Sequence, residues 1–133
     1  MVVSVPLTAA LAAGTHVAAG GQESAWEVPA AARARENPVA VSEAVLERAR
    51  EDYETRCQMC HGEAGHGDGA AAITFQPAPA NIATAEARAR LTDGEIFYTI
   101  SEGRRPMPRL AGRIPDDAIW GLVHYVRHLQ ASN

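Results

Sequence analysis

Cys57-Gln58-Met59-Cys60-His61 is the stretch on which the reading of this chain turns. It holds both cysteines of the sequence, two residues apart, with a histidine directly after the second. Two thiols on one helical turn can reach the two vinyl groups along one edge of a porphyrin, and the next residue then aims its imidazole at the iron. A C-x-x-C-H run is the attachment signature of a c-type haem. A redox dithiol, half of a zinc site or a structural disulfide would use the same cysteine spacing. None of these needs the trailing His61, and none explains Met107 downstream.

Met107 stands in Gly103-Arg104-Arg105-Pro106-Met107-Pro108. Two prolines flank it, so the backbone is stiff and cannot continue a helix. A methionine so placed gains little as core filler but makes sense if its thioether sulfur has to be aimed. Met59, tethered between the two cysteines on the His61 side, is a poor competitor for that role.

The helices expected around these sites follow from caps and periodicity. Ser42 is a good N-cap with Glu43 in the first turn. Val45, Ala49 and Tyr53, widened by Leu46, form an apolar stripe that delivers Cys57 and Cys60. Residues 62–81 carry Gly62, Gly65, Gly67, Gly69, Pro77 and Pro79 and read as a loop passing close to a flat group. The carbonyl of Pro77 or Pro79 is expected to accept the second ring N–H of His61. Thr92-Asp93-Gly94-Glu95 is a capping box that opens a helix ending at Gly103, and residues 83–90 suggest a short helix before it. A last helix starts near Pro115, with Asp116 and Asp117 in its first turn. Ile119, Leu122, Val123, Val126 and Leu129 form its apolar face. His66 reads as an exposed loop histidine. His124 and His128, four apart but without a third ligand, read as part of a solvated face.

With 133 residues the chain suits one domain. Plentiful alanine and an aromatic content of 5% favour helices and leave a thin core that a buried porphyrin would fill. The formal net charge is −4 and all 12 basic side chains other than histidine are arginine, so nothing resembles a nucleic-acid-binding surface and no lysine ring is available for docking.

Residues 1–19 read as a signal peptide cleaved near Ala19, with an uncleaved membrane anchor as the rival. The departure from the usual pattern is the missing basic n-region, since Arg33 is the first basic residue. Residues 20–41 read as a linker or extended arm holding Trp26, and 42–131 as the haem domain.

The CQMCH run, Gly67-Asp68-Gly69, Pro77-Ala78-Pro79-Ala80-Asn81, Pro106-Met107-Pro108 and the closing Trp120…Tyr125-Val126-Arg127 helix together resemble the monohaem class I cytochrome c family. The resemblance covers residues 42–130. It implies an all-α fold of three to five helices around one haem, with the first and last helices crossing beside it. It also implies one haem c bound through thioethers to Cys57 and Cys60, with His61 as proximal and Met107 as distal iron ligand. Ala49 departs from the pattern, because members often carry glycine at the helix crossing. Haem attachment of this kind points to export, to the periplasm in soluble or N-terminally anchored form.

With both axial positions filled, the expected function is electron transfer between redox protein partners, and a thioether ligand raises the potential. The alternative is the same module serving as the electron-transfer subunit of a dehydrogenase or oxidase complex. A haem-based ligand sensor, which needs a labile sixth position, and a thiol-redox enzyme rank behind these two.

Overall fold

The computed structural model describes residues 26–133; the targeting segment expected over residues 1–19 lies outside them. Six helices make up the described chain, and it contains no strand. They are α1 (Ala30–Arg33), α2 (Glu43–Arg56), α3 (Gln58–His61), α4 (Ala85–Arg90), α5 (Asp93–Glu102) and α6 (Asp116–Ser132). Two of them, α1 and α3, are single turns. No helix among the described residues is long and apolar enough to cross a membrane.

The caps act where the side chains predicted. Ser42 Oγ accepts from the Val45 N–H at 3.2 Å. At α5 both halves of the capping box are made: the Thr92 hydroxyl accepts from Glu95 N–H at 3.2 Å, and the Glu95 carboxylate accepts from Thr92 N–H at 2.7 Å. Gly103 ends α5 at a positive φ of 60°, which a side chain would resist.

Packing of α2 across α6 is the most extensive helix contact. The small residue at that crossing that the sequence pattern placed on α2 stands on α6 instead. A methyl group at Gly121 would lie 3.6 Å from Ala49 Cβ, so Ala49 and Gly121 share the close approach. Around it, Tyr53, Ile119, Trp120, Leu122 and Val123 are fully buried. Phe97 of α5 stacks on Trp120 at a centroid distance of 4.1 Å, and Tyr53 meets Tyr125 at 5.1 Å.

Arg127 ties three helices together. Its guanidinium donates to Asp93 Oδ1 at 2.8 Å, to the Leu91 carbonyl at 2.6 Å, to the Arg88 carbonyl at 3.3 Å and to Gln130 Oε1 at 2.9 Å. The planar fork thereby satisfies the free carbonyls at the end of α4 while pairing with the first turn of α5.

The segment read as a linker or extended arm is docked over its described part. Thr92 Oγ1 donates to the Arg33 carbonyl at 2.8 Å, and Arg33 pairs with the buried Glu95 at 3.0 Å. Arg35 lies over the Phe97 ring at 4.3 Å and the Trp120 ring at 5.1 Å. Asn37 Nδ2 donates to the Trp120 carbonyl at 3.0 Å, and His124 Nε2 donates to the Val39 carbonyl at 2.7 Å. His124 is therefore an anchor for the arm, while its neighbour His128 stays exposed and stacks on Tyr125. Gly94 makes the docking sterically open: a side chain there would collide with the carbonyl oxygens of Ala32, Arg33 and Arg35.

Candidate functional site

Cys57 closes α2 and starts the single turn α3, so the C-x-x-C-H run sits at a break between two helices. Helical geometry places Cys57, Cys60 and His61 on adjoining positions of that turn. The glycine loop then wraps it. Gly62 N–H donates to the Gln58 carbonyl at 2.9 Å, Gly67 N–H to His61 at 2.8 Å, Gly69 N–H to Cys60 at 3.1 Å and Ala71 N–H to Met59 at 2.9 Å. Every carbonyl of residues 58–61 is thus occupied. Gly69 has to be glycine because a methyl there would run into the Gln58 and Met59 carbonyls. Tyr53, buried on α2, donates its hydroxyl proton to the Gly62 carbonyl at 2.7 Å, which pins the loop's start to the helix before it.

His61 Nδ1 lies 3.2 Å from the Ala80 carbonyl. A carbonyl can only accept, so Nδ1 carries the proton and Nε2 presents a bare lone pair. Burial pulls the His61 pKa below its ordinary value, which keeps the ring neutral. The expected acceptor was Pro77 or Pro79; the chain uses the residue after the second proline. Glycine explains this registration: at Gly67 a side chain would strike the Pro79 carbonyl and Ala80, so the Pro-Ala-Pro-Ala run comes close enough to His61 only over a bare backbone. The motif marked the right segment, but carbonyls carry no sequence signal of their own. Burial also pushes the Cys57 thiol up to about 12.

Met107 lies on a separate loop. Its N–H donates to the Arg104 carbonyl at 2.8 Å, closing a four-residue turn over the two central residues Arg105 and Pro106. Partly buried, it packs against the same apolar core as Cys57. It also lines a cavity of about 860 Å³ together with Thr74, Phe75, Gln76, Arg104, Arg105 and Arg113 among others. Cys57, Cys60 and His61 stand outside that lining. The two halves are joined through the chain, since the wall Thr74–Gln76 continues directly from the loop that grips the motif. Near the other wall, Ser101 Oγ is buried without a hydrogen-bond partner, just before the lining residues Glu102 and Gly103.

The donor set is two thiols one turn apart, an imidazole with its Nε2 free, and a thioether on a cavity wall. Such residues fit a c-type haem. Among the described residues no group of three or more His, Cys, Asp or Glu could hold a bare metal ion, which separates this arrangement from a zinc site.

Residues 44–126 match the family described as "Cytochrome C oxidase, cbb3-type, subunit III". The chain belongs to this cytochrome c family. No curated protein matches it. Among solved structures it is similar to a chain of the Kuenenia stuttgartiensis reducing HAO-like protein complex, with a TM-score of 0.59 and 24% identity, over 71% of this chain and 49% of that one. At that identity the likeness supports the fold, and this chain spans about half the length of the other. The cytochrome c domain is a haem c protein of electron transfer. His66, read as an exposed loop histidine, is exposed, and its Nε2 donates to Asn133 Oδ1 at 2.9 Å, so in this cytochrome it ties the glycine loop to the end of α6.

Proposed function

We propose that this cytochrome c domain is a one-electron carrier whose single haem is held by thioethers to Cys57 and Cys60, with His61 and Met107 as axial ligands. The His61–Ala80 hydrogen bond carries the reading, because it fixes the tautomer and turns Nε2 toward ligation. The haem would supply a ferric/ferrous couple. The chain's own residues do the rest. Ala80 holds the imidazole oriented with its proton on Nδ1, and burial keeps the ring neutral. The Met107 sulfur offers a soft donor that favours the reduced state. The glycine loop fixes the attachment turn through its carbonyls, and with His61 and Met107 both ligating no position would remain for a substrate. The exported, periplasmic setting and redox protein partners belong to the same proposal.

The test uses the holoprotein. Met107→Ala should abolish the near-infrared sulfur-to-iron band of the oxidised form and let carbon monoxide bind the reduced form at neutral pH. If the band survives in the variant, Met107 is not the ligand. Parent protein that binds carbon monoxide readily would favour a ligand sensor over a carrier.

A second reading, an electron-transfer subunit of a larger oxidoreductase complex, has one observation in its favour: the family description names a subunit, and the similar solved chain belongs to a complex. Purification at native expression levels separates the two. Elution at the monomer mass supports the free carrier, and stable co-elution with a larger redox protein supports the subunit.

A further inference from the structure

We propose that Trp26 and Arg104 form a strap that holds the Met107 loop closed, which makes Trp26 a positioning residue for the sulfur donor. The proposal rests on the His61/Met107 reading above. Its basis is the course of the arm. Residues 33–39 are anchored on α5 and α6 through Arg33, Arg35, Asn37 and the Val39 carbonyl. None of those anchors needs anything before α1. Yet the chain ahead of α1 places the half-buried Trp26 with its ring 4.8 Å from the Arg104 guanidinium carbon. The contact joins residues 78 positions apart (104 − 26), at the one loop that bears the methionine.

Arg104 is not an arbitrary target. Its carbonyl accepts the Met107 N–H at 2.8 Å, so a hold on Arg104 is transmitted through one closed turn to the sulfur-bearing residue. The base of the loop is fixed by Leu110 and Ala111 N–H groups on the Ser101 carbonyl and by the packing of Met107 on the core, whereas its tip is open to solvent. Arg105, Pro106 and Pro108 are exposed, and Gly103 contributes no side chain. Segments with few buried contacts open locally at low cost. A cation over an indole face, partly shielded from water, adds resistance to that opening.

Hydrogen exchange in the holoprotein reads this opening directly at the Met107 amide. Trp26→Ala should speed its exchange about two- to fivefold, the factor expected of one cation–π contact whose cation is exposed. Trp26→Phe, which keeps a ring face, should stay nearer the parent, and amides in the middle of α6 should not change. Carbon monoxide association with the reduced protein should rise by a similar factor in Trp26→Ala. Unchanged Met107 exchange, or an equal acceleration throughout α6, overturns the strap. Faster exchange with no gain in carbon monoxide association overturns its action on the sulfur donor. If the parent lacks the near-infrared band, the axial assignment has failed instead, and amide exchange still decides whether the strap exists.

Discussion

Replacing Gly94 by alanine should reverse in sign according to whether the arm is present. Gly94 lies in the first turn of α5. In an ordinary helix alanine gains about 0.5–1 kcal/mol over glycine. Here the new methyl would lie 2.9 Å from the Arg35 carbonyl oxygen, 3.0 Å from that of Arg33 and closer still to that of Ala32. These are backbone atoms that cannot rotate away, so the arm has to lift. Lifting it gives up the Thr92–Arg33 hydrogen bond, worth about 1 kcal/mol, and the contact of the exposed Arg35 over two rings, worth about 0.5–1 kcal/mol. The Arg33–Glu95 pair adds under about 1 kcal/mol, since Arg33 is largely exposed. Released chain entropy and the helix gain offset part of this. The net expectation is a loss of about 1–2 kcal/mol in the full chain, within the usual range for single substitutions. In a chain lacking residues 1–36 the same substitution should stabilise by about 0.5–1 kcal/mol. Urea unfolding of the four holoproteins supplies the cycle. A Gly94→Ala effect of the same sign with and without the arm would refute the steric account of its docking.

Three further outcomes follow from particular contacts. Gly121→Ala should be tolerated and raise stability by about 0.5–1 kcal/mol, because its methyl meets Ala49 and Val45 only at 3.6 and 3.9 Å; a drop in melting temperature would show that the helices cannot accept it. Burial holds the Tyr53 phenol above its ordinary pKa of 10.0, so above pH 10 the unfolded chain releases a proton that the folded chain keeps, and stability falls as pH rises, by up to about 1.4 kcal/mol per unit. Tyr53→Phe should lose about 1 kcal/mol at neutral pH with its hydrogen bond yet decline less steeply above pH 10; parallel slopes from pH 10 to 11 in denaturant titrations would remove Tyr53 as the cause. Arg127→Lys should cost about 2 kcal/mol in the same assay, since an ammonium cannot serve Asp93, Leu91, Arg88 and Gln130 at once, and a neutral result would mean that the fork is dispensable.

What was legible in the sequence divides along physical lines. Local rules announced the caps at Ser42 and Thr92, the stop at Gly103 and the start of α6, because a cap is a contact between residues three apart. The attachment turn was legible for the same reason. The arm was not: its anchors join Asn37 to Trp120 and His124 to Val39 across more than eighty residues, and half of them end on backbone carbonyls that any residue supplies. Gly121 was missed as the crossing residue because either helix can carry the small side chain, and only the packed pair shows which one does. Gly94 stands inside a capping box, where its own neighbours place no demand on it; the demand comes from the carbonyls of Ala32, Arg33 and Arg35 opposite it.

The wrapped attachment turn bears on how the protein is made. With the carbonyls of residues 58–61 all engaged by the glycine loop and Tyr53 bolting that loop to α2, these four acceptors are already committed within the folded chain. On the proposed haem attachment, any factor that grips these carbonyls has to meet the chain before residues 62–71 close over them. Such a factor and the glycine loop would compete for the same few peptide groups.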